Sequence, residues 1–262
     1  MVSVASLSDG VQPRKVAQPS AAQVHSPAPG ADLLPLIVGV PRRAPTQPAG
    51  SLRDTEVPQG LRKKVLERDG GRCRFCGVAL PEHLEIAHQD DDHSNHRVEN
   101  LATACRWCHG VQHLGDRGRA GLVVLAIHPE WPAKDLPPQW QIHHLMRAMI
   151  VAPEEAVIPV QLLSNFLYED CVDAVAAWLP SKDPTWLAER LSELSDEEYR
   201  QREYLSGFRV LPASDPPPQP GEAVVEAWRH ENVVRAYWSS ELERRVAGYW
   251  IHPDLESRGG GS

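Results

Sequence analysis

The 262-residue sequence predicts an α+β protein: a small cysteine-rich module followed by an all-helical half, behind a disordered N-terminal tail. Three observations predict it. Two Cys-x-x-Cys pairs, Cys73/Cys76 and Cys105/Cys108, bracket a segment with short β-prone runs. Beyond Gly115 apolar residues recur at helical spacing, first as Trp140, Ile142, Leu145, Met146, Met149 and Ile150, then as Leu162, Leu163, Phe166, Leu167, Val172, Val175 and Leu179. Residues 1–31 are rich in Ala, Pro, Gln and Ser with little periodicity, and read as disordered.

In chain order, Leu33 to Val40 (LLPLIVGV) reads as a strand docking on the cysteine-rich module, and Pro41 to Gly50 as loop. Leu61, Val65 and Leu66 mark a short amphipathic helix that ends in the turn Asp69-Gly70-Gly71. Leu84 to Ile86 is expected as a strand, Leu101 to His113 as a helix, and Leu122 to Ile127 (LVVLAI) as a strand or buried segment. Asp183-Pro184 is a helix start, an N-cap followed by proline at the first helical position. Ser195 to Glu198 fits a capping box whose helix should close at Gly207. Five prolines between Pro212 and Gly221 form a semi-rigid linker, and Val224, Trp228, Val233, Val234 and Trp238 trace a last helix before the flexible end. The expected organisation is a tail (1–31), a module with an N-terminal strand (32–118), a helical domain (119–212), a linker (213–221) and a C-terminal helix with its tail (222–262).

With 42% hydrophobic and 24% charged residues the chain is of the globular class, and no run approaches the roughly 18 apolar residues of a membrane span. Its N-terminus lacks the apolar centre of a secretory signal, so a cytoplasmic chain without direct membrane insertion is expected. The net charge is −8. From Glu56 to Arg119 ten acidic and ten basic residues cancel. Neither figure provides the basic track through which a nucleic-acid binder gains affinity. Arg62, Lys63 and Lys64 form the one basic run of that segment, which a solvated helix face explains equally well.

Stable disulfides are rare in cytosolic chains, so the two cysteine pairs, 28 residues apart, point to metal. Two Cys-x-x-Cys turns can converge on a tetrahedral four-sulfur zinc site. Four thiolates leave no open coordination position, so Cys73, Cys76, Cys105 and Cys108 are assigned a structural Zn²⁺. Cys171 stands alone at a core spacing and is read as packing.

The stretch between these pairs carries a resemblance. Cys-x-x-Cys, an apolar strand ending in His88, then Asn100-Leu101, then Cys-x-x-Cys-His109 is similar to the zinc-containing branch of the HNH nuclease superfamily, with its ββα fold. The resemblance implies a general base at His88, a loop brace or metal-assisting group at Asn100, and a metal ligand at His109. Where that family places a second metal-binding Asp or His, this chain has Ala87. A methyl group donates nothing to a cation. Without a well-held ion nothing neutralises the charge on a scissile phosphate, so catalysis is expected to be absent and this pocket vestigial. Asp90, Asp91, Asp92 and His93 are the substitute ligands weighed for Ala87, although they begin a loop leading away from the strand. His109 and His113, one helical turn apart, could form a weak second metal site, with surface placement the plainer reading.

The similarity extends to the IcmJ/DotN proteins. It is carried by "KKVLERDGGRCRFCG" (63–77), "HQDDDHSNHRVENLATACRWCHGVQHLG" (88–115), "LMRAMIVA" (145–152) and "LSDEEYRQREYLSGFRVLP" (194–212). It implies a component of the type IVB secretion coupling complex that keeps an HNH-like zinc scaffold and acts as an adaptor. Its partners would be the C-terminal extension of the coupling ATPase and the adaptor complex gathered there, which would bring it to the inner membrane without inserting. The Trp- and Met-rich helical half would supply adaptable apolar surface for such capture. Two alternatives stay open: an active metal-dependent HNH endonuclease cleaving DNA, and a zinc-dependent nucleic-acid binder without catalysis.

Overall fold

A computed structural model describes residues 33–42, 57–80, 82–151, 165–213 and 221–230. The expected tail, Leu162, Leu163, most of the linker, and Val233, Val234 and Trp238 lie outside the described residues.

Helix α1 (Gln59–Arg68) forms where Leu61, Val65 and Leu66 predict it, and buries Val65. It ends because Gly70 and Gly71 both take positive φ (62° and 64°), a backbone that side chains with a Cβ resist. Asp69 ties this turn to the sheet. Its Oδ2 accepts from Thr103 N at 2.9 Å, and its carboxylate is gripped by Arg68 at 2.7 and 2.9 Å.

Strand β1 (Leu84–His88) pairs antiparallel with β2 (Leu101–Cys105), in the register Leu84↔Cys105, Ala87↔Ala102 and His88↔Leu101. Helix α2 (Arg106–Gln112) follows β2 without a loop, then α3 (Leu114–Arg119). The expected helix from Leu101 is therefore corrected. Residues 101–105 are buried throughout and pair along β1, so the helix begins only at Arg106. The expected strand at Leu33–Val40 is an extended strap rather than part of a sheet. Its backbone bonds go to three separate places: Leu34 N to Arg74 O (2.8 Å), Gly39 N to Val111 O (3.0 Å) and Arg42 N to Asp91 O (2.7 Å). No single neighbour offers it a ladder.

The second half is not all-helical. Strand β3 (Val123–Ala126) pairs antiparallel with β4 (Arg209–Pro212), because the apolar LVVLAI run finds in RVLP a partner that local periodicity cannot reveal. Between them come α4 (Gln139–Val151), a wide helical turn at Phe166–Cys171, α5 (Pro184–Glu193) and α6 (Asp196–Arg200). Asp183 caps α5 by accepting from Thr185 N at 2.8 Å. The capping box of α6 is complete, with Glu198 N donating to Ser195 Oγ and Ser195 N donating to Glu198 Oε2. This helix stops at Arg200, short of the expected Gly207, and a tight 3₁₀ turn covers Arg202–Leu205. Helix α7 (Glu222–His230) lies after the linker.

The apolar cluster around the four cysteines includes Phe75, Val78, Leu80 and Leu84, with Ala148 and Val151 from α4 and Val225 and Trp228 from α7. Both halves of the chain thus close over one centre. Of the expected capture surface Met146 is core, while Trp140, Met149 and Trp186 are half-buried; among the described residues the large apolar side chains left exposed are Leu122, Trp178 and Tyr204. Among the described residues no helix is long and apolar enough to cross a membrane.

Candidate metal centre

The Cys73-x-x-Cys76 turn is closed by backbone bonds from Gly77 N to Cys73 O (2.8 Å) and from Cys73 N to Val78 O (2.9 Å). Gly77 takes φ 76°, which swings the chain back so that both thiols face inward. Opposite, Cys105 ends β2 and Cys108 sits in the first turn of α2. All four are buried, and their sulfurs lie within 4.8 Å of one another. Cys76 Sγ and Cys105 Sγ are 3.8 Å apart. Four sulfurs each about 2.3 Å from one tetrahedral ion would stand about 3.8 Å apart, so the donors fit such an ion. None of the cysteines is disulfide-bonded, and a disulfide would need about 2.0 Å. These four buried thiols could bind a metal ion such as zinc. Cys171 is buried elsewhere, where burial pushes its thiol up, as the packing reading expects.

The centre is lined by side chains from α4. Gln139 Oε1 accepts from Val210 N, and Gln139 Nε2 donates to Val210 O, each at 2.8 Å. The same Nε2 stands 2.9 Å from His143 Nε2, which must therefore accept. That leaves the His143 proton on Nδ1, aimed at Cys108 Sγ at 3.2 Å. His144 Nε2 donates to the Cys76 carbonyl at 2.6 Å, turning its Nδ1 lone pair toward Arg147. Burial lowers both imidazoles to about 3, so both are neutral. Arg147 Nη2 donates to Cys105 Sγ at 3.0 Å. Burial opposes its charge, yet the four cysteines outweigh that and raise its pKa. Burial raises the thiols of Cys73 and Cys108. It opposes ionisation of Cys105 too, but hydrogen bonds from its three partners, with Arg147 behind them, bring that thiol down.

The other predicted residues gather in a histidine pocket. His88 is 95% buried, stacked on His93 (4.8 Å between ring centroids) and tilted against His96 (5.4 Å). Among the described residues neither of its ring nitrogens has a hydrogen-bond partner. Burial, then the charges of His93 and His96, lower it to about 4. Asn100 braces the following loop: its Nδ2 donates to Asp90 Oδ1 (2.8 Å) and Asn95 O (2.9 Å), and its Oδ1 accepts from Asp90 N (3.1 Å). His109 Nδ1 meets Glu85 Oε2 at 2.7 Å, and that hydrogen bond lowers the glutamate pKa. With its Nδ1 proton given to Glu85, His109 presents Nε2 to His113 Nε2 at 3.0 Å. His113 is half-turned into this pocket rather than on the open surface.

Ala87 is fully buried. By register Glu85, Ala87, Ala102 and Ala104 share one face of the β1–β2 pair. Since His109 of α2 meets Glu85, this is the face that α2 covers. The aspartates that follow each hold their own loop: Asp90 accepts from Asn100 (2.8 Å), and Asp92 caps its own turn at Ser94 (2.9 Å). Asp91 points the other way, into a buried junction with Arg202 Nη2 (2.6 Å) and Tyr199 Oη (2.8 Å). Burial pushes its carboxyl up to about 7 despite the Arg202 charge. Tyr199 Oη also accepts from Val40 N at 2.8 Å, and the guanidinium groups of Arg42 and Arg202 both lie over its ring (4.7 and 4.0 Å). Of the basic run, Arg62 turns in to the Leu84 carbonyl at 2.6 Å, while Lys63 and Lys64 stand on an exposed helix face.

Sequence reasoning missed His143, His144, Arg147 and Glu85. The first three sit in a helix read only for its apolar spacing; three polar residues on its core-facing side were a usable signal. Glu85 could have been found from the two-residue period of the strand, which puts it on the face of Ala87.

No family model matches the sequence. Over 46 residues the chain is 39% identical to the type 4 apparatus protein DotN of Legionella pneumophila subsp. pneumophila. The stretch covers 18% of this chain and 22% of that protein, so the chain spans about a fifth of the relative it matches.

Proposed function

We propose that this chain is a zinc-stabilised, nuclease-inactive adaptor of a type IVB secretion coupling complex, binding the C-terminal extension of the coupling ATPase where effectors are recruited. The similarity to a type 4 apparatus protein over 46 residues supports the choice of machinery. The observation that carries the inactive reading is the pocket at Ala87: a buried methyl group at the ligand position, with all three following aspartates committed elsewhere. His88 is a poor base for the task. A general base works best with a pKa near the operating pH, and burial takes this one to about 4. Zn²⁺ held by Cys73, Cys76, Cys105 and Cys108 would cross-link two segments of the module and supply no chemistry. The HNH-like scaffold and the boundaries at 32–118 and 119–212 belong to this reading.

Purification from the native cell should recover the chain with a coupling ATPase, and a supercoiled plasmid with Mg²⁺, Mn²⁺ or Ni²⁺ should stay uncut. Metal-dependent nicking abolished by His88→Ala would overturn the inactive reading. One observation favours that second reading, an active endonuclease. His109 Nε2 and His113 Nε2 stand 3.0 Å apart with Glu85 behind His109, the way a carboxylate orients a ligating imidazole.

A further inference from the structure

Arg147 is 1% exposed, and among the described residues it forms no ion pair with a carboxylate. Its guanidinium lies over the rings of Trp107 (5.0 Å) and Trp228 (5.5 Å), and its groups turn to Cys105 Sγ and His144 Nδ1. An arginine cannot shed its proton in a protein, so this is a permanent charge placed where water is excluded. Such a charge is costly without an opposite one beside it. The groups available to neutralise it are the four cysteines, and they can do so only as thiolates.

The sulfurs face the converse problem. Four thiolates carry four negative charges; a divalent cation leaves two, in a site whose sulfurs are all buried. We infer that Arg147 is the built-in counter-cation of the four-sulfur centre. It offsets one of those two charges, and with the Nδ1–H of His143 it draws electron density from Cys105 and Cys108, so that a divalent ion is retained and its sulfurs resist electrophiles. Both residues arrive on α4, and Trp228 of α7 closes over the guanidinium, so the helical half completes a centre whose ligands all lie in the cysteine-rich segment. This inference rests on the zinc reading above and extends it to residues outside the ligand set.

The full-length protein tests it by zinc content, by competition with a chromophoric chelator, and by the rate of zinc release under peroxide. The wild type should hold one equivalent. Arg147→Met should lower affinity about 10–100-fold, the usual cost of losing an outer-shell partner, and should release zinc faster under peroxide. Arg147→Lys keeps the charge and should retain most of the affinity; His143→Phe should shift both readings in the direction of Arg147→Met by less. A folded Arg147→Met with wild-type affinity and release rate overturns the inference while leaving the zinc reading intact. A wild type that binds no zinc overturns both. If Arg147→Met is insoluble, Arg147→Lys decides: near-wild-type affinity supports the charge role, and a loss beyond about 100-fold overturns it.

Discussion

In the cysteine centre, His143 and Arg147 each direct an N–H at a sulfur, and His144 secures the carbonyl of Cys76. In the histidine pocket, both nitrogens of His88 and Nε2 of His96 are buried without partners among the described residues, and the imidazoles lie against one another. Both regions hold the residue types that bind metals. The difference teaches that donor identity does not make a site. What makes one is the set of groups behind the donors, which fixes their tautomers and balances their charge. The pocket keeps a fragment of such support in the Glu85–His109–His113 chain, and lacks it at His88.

Removing one of the four thiols proposed to hold zinc should have the largest effect. Zinc binding to small modules is worth about 10–16 kcal/mol, comparable with the whole stability of a domain, about 5–15 kcal/mol. Cys105→Ser should therefore yield metal-free, insoluble protein, and a folded, metal-free Cys105→Ser by circular dichroism and zinc analysis would refute the structural role.

Next in size is the Asp91 junction, which joins the pocket's loop to the strap and to the segment after α6. Asp91→Ala removes the carboxylate partner of the part-buried Arg202 guanidinium, a loss of about 3 kcal/mol, the lower end of the range for a fully buried pair. Urea unfolding should show that loss; a change below about 1 kcal/mol would mean that the junction carries little. Tyr199→Phe should cost less, about 1–3 kcal/mol, because it strands the buried Val40 N–H.

The smallest effect is expected where the polar atoms have no partners. His88→Phe removes two unsatisfied nitrogens and should leave stability at neutral pH unchanged within about 1 kcal/mol. Its signature is in the pH dependence. The folded pKa of His88 is about 4, below the ordinary 6.5, so the unfolded chain binds that proton first. The stability it contributes is complete above about pH 6.5 and declines as pH falls toward 4. Asp91 runs the opposite way. Its folded pKa is about 7 against 3.8, so its contribution is complete below about pH 4 and declines as pH rises toward 7. The slopes oppose each other. Urea midpoints across this window should rise less steeply with pH in His88→Phe than in the wild type, and more steeply in Asp91→Asn; parallel profiles would show that neither group is held as described.

Several elements were legible because their causes are local. The capping box at Ser195, the N-cap at Asp183 and the Gly70-Gly71 stop each depend on residues within a few positions, and each forms as expected. The extent of α2 was not legible, since Leu101–Cys105 is a strand only by virtue of lying against β1. Likewise β3 needs β4, far along the chain, and the strap at 33–42 needs bonds from three separate places.

For the site, spacing alone named the four cysteines, because a Cys-x-x-Cys turn points both thiols one way whatever surrounds it. Ala87 drew attention only through the HNH resemblance, since nothing in the spacing marks an alanine. Only the folded chain decided that Asp91 turns inward to Arg202, that Glu85 backs His109, and that a helix chosen for its apolar stripe carries Arg147 to the sulfurs. Short-range geometry is written in neighbouring residues. The partner of a buried charge is chosen by which distant surfaces exclude water together, and that is settled when the halves pack.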